Sequence, residues 1–290
     1  MNKLLDYLLT FPQYLLPQHF LTGLVYRITR IETFWFKQLL IKTFISIFRV
    51  NMEEAKQENI ENYVSFNDFF TRELKTDARN WQVNNQHILS PVDGAVSQLG
   101  SIDKHSIIQA KGKDYSLMQL FAGDTDLVST FENGQFATLY LSPRDYHRIH
   151  MPYSGRLIKS IYIPGDLFAV NNPAVRTVDG VFARNERFIS IFESDIGKFA
   201  MIMVGALFVG SMSTVWAGQI TPSKHRHLAA NEYLKDEEIQ LNQSDEFGLF
   251  NMGSTVILLF QQDKIKWEDN FSAHSKIQCA NHLGSLSIKN

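Results

Sequence analysis

Apolar residues along the first fifty positions recur at helical spacing. Phe20, Leu24, Ile28 and Ile31 fall at i, i+4, i+8 and i+11, and Phe36, Leu40, Phe44 and Phe48 repeat every four residues. Both patterns predict helices with one apolar stripe. Pro12 and Pro17 divide the chain before them into short pieces, because proline ends or kinks a helix. Residues 51–64 are polar and acidic and read as a connector. Ser65 with Asp68 forms a helix-start pattern ahead of Phe69, Phe70 and Leu74. From about residue 86 the period changes. Runs at 137–141, 157–163, 188–192, 201–209 and 255–260 predict strands, and 114–121 a short helix. Turn pairs such as Asp93-Gly94, Asn133-Gly134 and Gly165-Asp166 separate the short runs. The expected fold class is α+β, with N-terminal amphipathic helices followed by a mostly antiparallel β core.

Charge changes the picture of the N-terminal helices. The 290 residues carry a formal net charge of −2, which gives no reason to expect a nucleic-acid partner. The first 50 residues are different. Lys3, Arg27, Arg30, Lys37, Lys42 and Arg49 stand against Asp6 and Glu32, so this segment is net +4 and the remainder net −6. It is also 28 hydrophobic residues in 50, with 10 of the 36 aromatics. Greasy helices with basic residues suit the interface of an anionic bilayer; they also suit a layer packed on the protein's own core. No apolar run reaches the ~18–20 residues of a spanning helix. Asp6, the two prolines and the lack of a small-x-small site argue against a signal peptide. Residues 199–223 carry no charge, but Gly205, Gly210 and Gly218 and the cluster Ser211, Ser213, Thr214 favour buried strands joined by turns over a membrane span.

Candidate chemistry is sparse. The single cysteine, Cys279, excludes an internal disulfide and a Cys-rich zinc site. His147 and His150 lie in LSPRDYHRIHMP, and His225 and His227 in a loop; no carboxylate or thiol completes a ligand set, so no metal is expected. Asp93 lies in a turn-forming Asp-Gly, and Gly253-Ser254 enters an apolar strand. Asp93, His150 and Ser254 supply the residue types of an acid–base–nucleophile set, but such a set is defined by geometry. No G-x-S-x-G elbow supports an α/β hydrolase.

Several of these segments together carry a resemblance. They are SFNDFFTREL at 65–74, SPVDGAVSQLG at 90–100, LSPRDYHRIHMPYSG at 141–155, IYIPGDLFAVN at 161–171, FARNER at 182–187, VGALFVGSMSTVWAG at 204–218 and FGLFNMGSTVILLF at 247–260. In this order they resemble the prokaryotic type I phosphatidylserine decarboxylases, from about residue 1 to 260. Met252 stands where the family has Leu in its Leu-Gly-Ser-Thr cleavage sequence, a swap of similar size and polarity. The tail 261–290 contains no matching motif.

The resemblance implies a proenzyme that cuts itself after Gly253 into a β subunit, 1–253, and an α subunit, 254–290. It implies that Asp93, His150 and Ser254 form the charge relay for that cut. Ser254 would attack the Gly253 carbonyl; the resulting ester would eliminate, and the product hydrolyse to ammonia and an N-terminal pyruvoyl group. This covalent pyruvate would form a Schiff base with the serine amine of the lipid, and loss of CO₂ would give phosphatidylethanolamine for phospholipid biosynthesis. His147 is assigned to decarboxylation. Arg144 and Arg148 are candidates for the phosphate or anionic headgroups, or for ordinary ion pairs.

The expected organisation is a membrane-associating helical segment at 1–64 and a catalytic β-rich core at 65–290. The expected partner is phosphatidylserine in an anionic membrane, with the enzyme peripheral on the cytoplasmic face of the cell membrane. Whether αβ units assemble into a homo-oligomer is left open. Two other readings are a silent lipid-binding module, against which Asp93, His150 and Ser254 are all present, and a Ser-His-Asp lipid hydrolase, against which the elbow is missing.

Overall fold

A computed structural model describes residues 3–208, 211–222, 226–234, 239–253 and 255–287. The N-terminal segment forms helices α1 (Lys3–Thr10), α2 (Gln18–Ile28) and α3 (Phe34–Phe48), with a one-turn 3₁₀ helix at Phe11–Tyr14. Pro17 precedes α2, and Arg49 ends α3 in the left-handed conformation. A fourth, α4 (Phe66–Phe70), begins where the sequence indicated: Ser65 Oγ accepts the Asp68 N–H at 3.2 Å. Among the described residues no helix is long and apolar enough to cross a membrane.

The N-terminal layer packs with its polar side inward. Asp6, Thr10, Gln13, Gln18, Thr22 and Thr29 are buried, while Phe20 is 70% and Leu24 46% exposed. The inner side chains serve backbone groups of the core. Gln13 Oε1 accepts the Ala169 N–H at 2.8 Å and Gln18 Oε1 the Leu167 N–H at 2.6 Å. Asp6 forms a forked ion pair with Arg176 at 2.8 and 2.9 Å. Hydrogen bonds therefore hold this layer in place, and its apolar stripe is left outside. Helix α3 differs. Ile41 is fully buried, and the Phe44 ring packs edge-on against Phe66 and Phe70 at 5.1 and 5.8 Å, forming a small second core with Val50, Tyr63 and Phe69.

The β core is antiparallel throughout its ladders. The largest sheet runs Ala229–Glu232, Gly155–Ile163, Arg187–Ser194, Gly197–Val204, Thr255–Phe260, Gln135–Tyr140, Gly94–Ser101 and Lys276–Ile277, with Gln240–Leu241 added beside Gly155–Ile163. Thr255–Phe260 is paired on both sides and buried at every position. That is why it reads as a continuous apolar run, not an alternating one. The charge-free stretch is strand in part: Gly197–Val204 ends before the expected residue 209, residues 205–208 lie in no strand, and Met212–Thr214 follows, with residues 209, 210 and 223 outside the described set.

The region 114–121 departs from the expected helix. It is a strand, Lys113–Ser116, followed by one helical turn, Leu117–Leu120. Ser116 and Gln119 form a reciprocal capping box, so the helix starts at Ser116 and not at Asp114.

The tail that matches no motif is part of the core. Ile265–Trp267 and His282–Leu286 form a sheet with His87–Leu89, and Lys276–Ile277 pairs with Gly94 and Ala95. This pairing brings the tail against Asp93.

Candidate active site

The Asn251–Gly253 loop is fixed at its first residue. The Asn251 N–H donates to the Ser211 carbonyl at 2.9 Å, its Nδ2 to Ser211 Oγ at 2.8 Å, and Asn67 Nδ2 donates to the Asn251 carbonyl at 2.9 Å. Met252 packs on both the main and the small core. Gly253 faces His147: a Cβ built there would stand 2.6 Å from Nε2. Only glycine fits, because the imidazole is buried and held. Ser254 lies outside the described residues, so its side chain carries no geometry here.

His147 is the histidine beside Gly253. It is fully buried, its ring lies 4.1 Å from that of Phe70, and its Nδ1–H donates to the Asp145 carbonyl at 2.8 Å. That bond leaves Nε2 unprotonated in the neutral ring, with no hydrogen-bond partner among the described residues. Burial is the main reason its pKa is pushed down to about 3; the nearby Arg72 charge acts in the same direction, and the Asp145 carbonyl opposes both.

His150 is held differently. Its Nδ1–H donates to the Ser244 carbonyl at 2.8 Å, and Nε2 accepts from Tyr146 O–H at 3.1 Å. Burial again lowers its pKa. The strand Arg148–His150 runs antiparallel to Glu246–Phe250, with His150 opposite Glu246 while the Phe250 N–H donates to the His147 carbonyl. The two histidines thus sit at opposite ends of that pairing, and His147 is at the Gly253 end.

Asp93 is near His150 but does not bond to it. The His150 N–H reaches the Pro91 carbonyl at 2.9 Å, which brings the Pro91–Gly94 turn alongside. The Asp93 carboxylate is taken by Arg79, which forks onto both oxygens, and by the Cys279 N–H at 2.8 Å. The tautomer of His150 is therefore set by the Ser244 carbonyl, and Asp93, a relay partner by the family resemblance, makes no direct bond to the ring. Gly94 is required by the same turn: its φ is +153°, and a Cβ would stand 2.1 Å from the Tyr140 carbonyl oxygen.

The two candidate arginines part company. Arg148 is committed to Glu246 at 2.9 Å, Glu73 at 3.5 Å and the Thr71 carbonyl at 3.0 Å. Arg144 has only a loose contact with Asp145 at 3.8 Å and opens onto a polar cavity of about 610 Å³ shared with Asp93, Ser142 and Lys276. Tyr140 and Val170 separate this space from an apolar cavity of about 250 Å³ lined by Phe44, Phe48, Phe70, Phe208, Met252 and Gly253. Helix α3 is thus one wall of the space that reaches Gly253.

Sequence reasoning missed Arg72, Arg79, Trp81 and Ser244. Arg72 is buried, with Nη2 on the Arg144 carbonyl at 3.2 Å and no hydrogen-bond partner for Nε or Nη1 among the described residues. Its position inside the SFNDFFTREL segment was the one available signal; nothing in the local pattern marks the other three.

A family model described as phosphatidylserine decarboxylase matches residues 66–285, and a second, described as PSD, matches residues 8–49. The chain is similar to proteins named phosphatidylserine decarboxylase proenzyme from Nitrosococcus oceani, at 46% identity over 98% of this chain and 93% of that one. It is similar to those from Alcanivorax borkumensis, at 45% over 99% of both, and Alkalilimnicola ehrlichii, at 49% over 88% of both. With a family model that matches most of the chain and relatives 45–49% identical over nearly its whole length, the chain belongs to the phosphatidylserine decarboxylase family.

Proposed function

We propose that the chain is a proenzyme that cuts its own Gly253–Ser254 bond and then converts phosphatidylserine to phosphatidylethanolamine and CO₂ at a membrane surface, a step of phospholipid biosynthesis. The observation that carries this reading is buried His147, held with its Nε2 against Gly253 at the end of an apolar cavity and without a hydrogen-bond partner there among the described residues.

The residues around Gly253 fit a small covalent carbonyl group at position 254. They offer a tight apolar wall, a buried imidazole nitrogen and no lysine. A pyruvoyl group there supplies an electron sink for the carboxylate that leaves. His147 contributes proton handling at Nε2. Its neutral form is favoured by burial, so it arrives as an acceptor, and a proton taken there is returned readily. The apolar cavity excludes water from the reacting carbon and accepts the glycerol end of the acyl chains. Arg144, whose guanidinium opens onto the polar cavity, suits the phosphate better than Arg148, whose charge is already matched.

For the cut, the roles of Asp93, His150 and Ser254 rest on the family resemblance. By that resemblance His150 takes the Ser254 hydroxyl proton at Nε2, which requires Tyr146 O–H to release that nitrogen and Ser254 to reach past His147, the imidazole at Gly253; Asp93 supplies negative charge nearby. The glycine at 253 supports this reading, since a bare backbone can bend into the attack. After the cut the α subunit, 254–290, keeps the strand Thr255–Phe260 in the middle of the large sheet, which holds the two subunits together.

Peripheral membrane docking is supported by the inverted N-terminal layer. Leu4, Leu8, Phe11, Leu15, Phe20 and Trp35 are exposed while the polar face is buried. Such a face gains free energy on entering the acyl boundary, and the exposed Arg27, Lys42 and Arg49 meet anionic headgroups, whereas Lys37 is buried on the Glu61 and Tyr63 carbonyls. This arrangement suits an enzyme on the cytoplasmic face, drawing its substrate from the leaflet. The test is release of labelled CO₂ from carboxyl-labelled phosphatidylserine vesicles by wild type and by Ser254→Ala. Release by wild type alone is expected. Release of fatty acid instead of CO₂ would point to a hydrolase.

A further inference from the structure

One short segment, between α4 and the core, touches both Asp93 and His150. Arg79 is buried and forks onto the Asp93 carboxylate through Nε, at 3.0 Å, and Nη2. Two residues on, the Trp81 ring packs on the His150 imidazole with centroids 4.8 Å apart. The free edge of the Arg79 guanidinium is in turn held by Glu54 at 2.8 Å, so its orientation is fixed from the opposite side. Nothing in the decarboxylation chemistry requires a buried Arg–Asp pair at this place. Burying such a pair costs several kcal/mol of desolvation that good geometry must offset.

We infer that Arg79 is a positioning residue for self-cleavage: it fixes the Asp93 carboxylate, charged and oriented, beside His150. This rests on the reading that Asp93 and His150 serve the cut. Arg79 does not touch the reacting atoms. The charged and titratable groups around Asp93 are Arg79, Arg72, His150, Asp145, Tyr146 and the Cys279 thiol, with Arg144, His274 and Lys276 across the shared cavity. Of these only Arg79 bonds directly to the carboxylate through a side chain. The Cys279 N–H stays in place whatever stands at 79, because it belongs to the backbone. Without Arg79 the carboxylate loses the two-point contact that fixes its orientation beside His150.

The experiment follows self-cleavage of freshly made precursor by gel, and CO₂ release per cut chain, for wild type, Arg79→Met and Arg79→Lys. Arg79→Met is expected to cut about tenfold or more slowly, with CO₂ release per cut chain much less affected. Arg79→Lys keeps the charge but loses the fork, so its cleavage falls between the two. An equal fall in cleavage and in CO₂ release per cut chain would reduce Arg79 to scaffolding and overturn the inference, as would wild-type cleavage rates in both variants. If Arg79→Met does not fold, Arg79→Lys is judged by the same two outcomes. Wild type that never splits would overturn the self-cleavage reading and Arg79's role with it. Wild type that splits beside unslowed Arg79 variants overturns the Arg79 role alone.

Discussion

Replacing Leu15, Phe20 and Trp35 together by serine should detach the protein from membranes without unfolding it. These side chains are 78%, 70% and 68% exposed, so little packing is lost in water. Surface changes of this kind usually stay within about 0.5 kcal/mol each. On a bilayer the balance differs. At about 1.5 kcal/mol gained per largely exposed side chain on leaving water, the three carry roughly 4 kcal/mol, or about a thousandfold in partition. The assay is co-sedimentation with vesicles containing phosphatidylserine, with thermal melting run in parallel. The expected result is lost sedimentation at an unchanged melting temperature. The same triple variant sedimenting as wild type would refute docking through this face. A large fall in melting temperature would show that the side chains are packed on protein after all.

Other outcomes follow from the same geometry. His147→Phe should leave the cut intact and abolish decarboxylation per cut chain; an uncut product would move His147 into the processing step. The unfolded chain protonates His147 near 6.5 and the folded one only near 3, so wild type should lose stability across that interval as pH falls. In melts at stepped pH, His147→Phe should lose less. Gly94→Ala puts a Cβ 2.1 Å from the Tyr140 carbonyl and should cost about 3 kcal/mol or more, seen as lost soluble yield or a much lower melting temperature. The cut chains should co-elute on size exclusion without denaturant, since Thr255–Phe260 is laddered on both sides. Leu258→Ala, at a fully buried position of that strand, should cost about 2–5 kcal/mol in urea melts.

Periodicity revealed the elements better than their facing. The strand runs at 188–192 and 255–260 were legible because a strand buried on both faces is apolar at nearly every position. The Ser65 cap was legible because its chemistry is local. The facing of α2 was not. A stripe such as Phe20 and Leu24 normally points inward, and here Gln18 and Thr22 do instead, because their partners are core backbone groups distant in sequence. The site was legible only in part, for the same reason. Asp93, His147 and His150 stood out within motif segments, but the Arg79–Asp93 fork and the Ser244 contact to His150 join segments with no shared pattern. That His147, and not His150, lies against Gly253 depends on the register of two paired strands, which the sequence does not display.

The central claim is that the chain makes its own reactive group by cutting at Gly253, and intact-mass spectrometry of the purified protein tests it most directly. Two chains are expected, the longer ending at Gly253. The shorter should be blocked to Edman degradation and lighter by one ammonia than a chain starting with serine. Ser254→Ala should give one full-length mass. A single uncut chain that still releases CO₂ from phosphatidylserine would contradict the account.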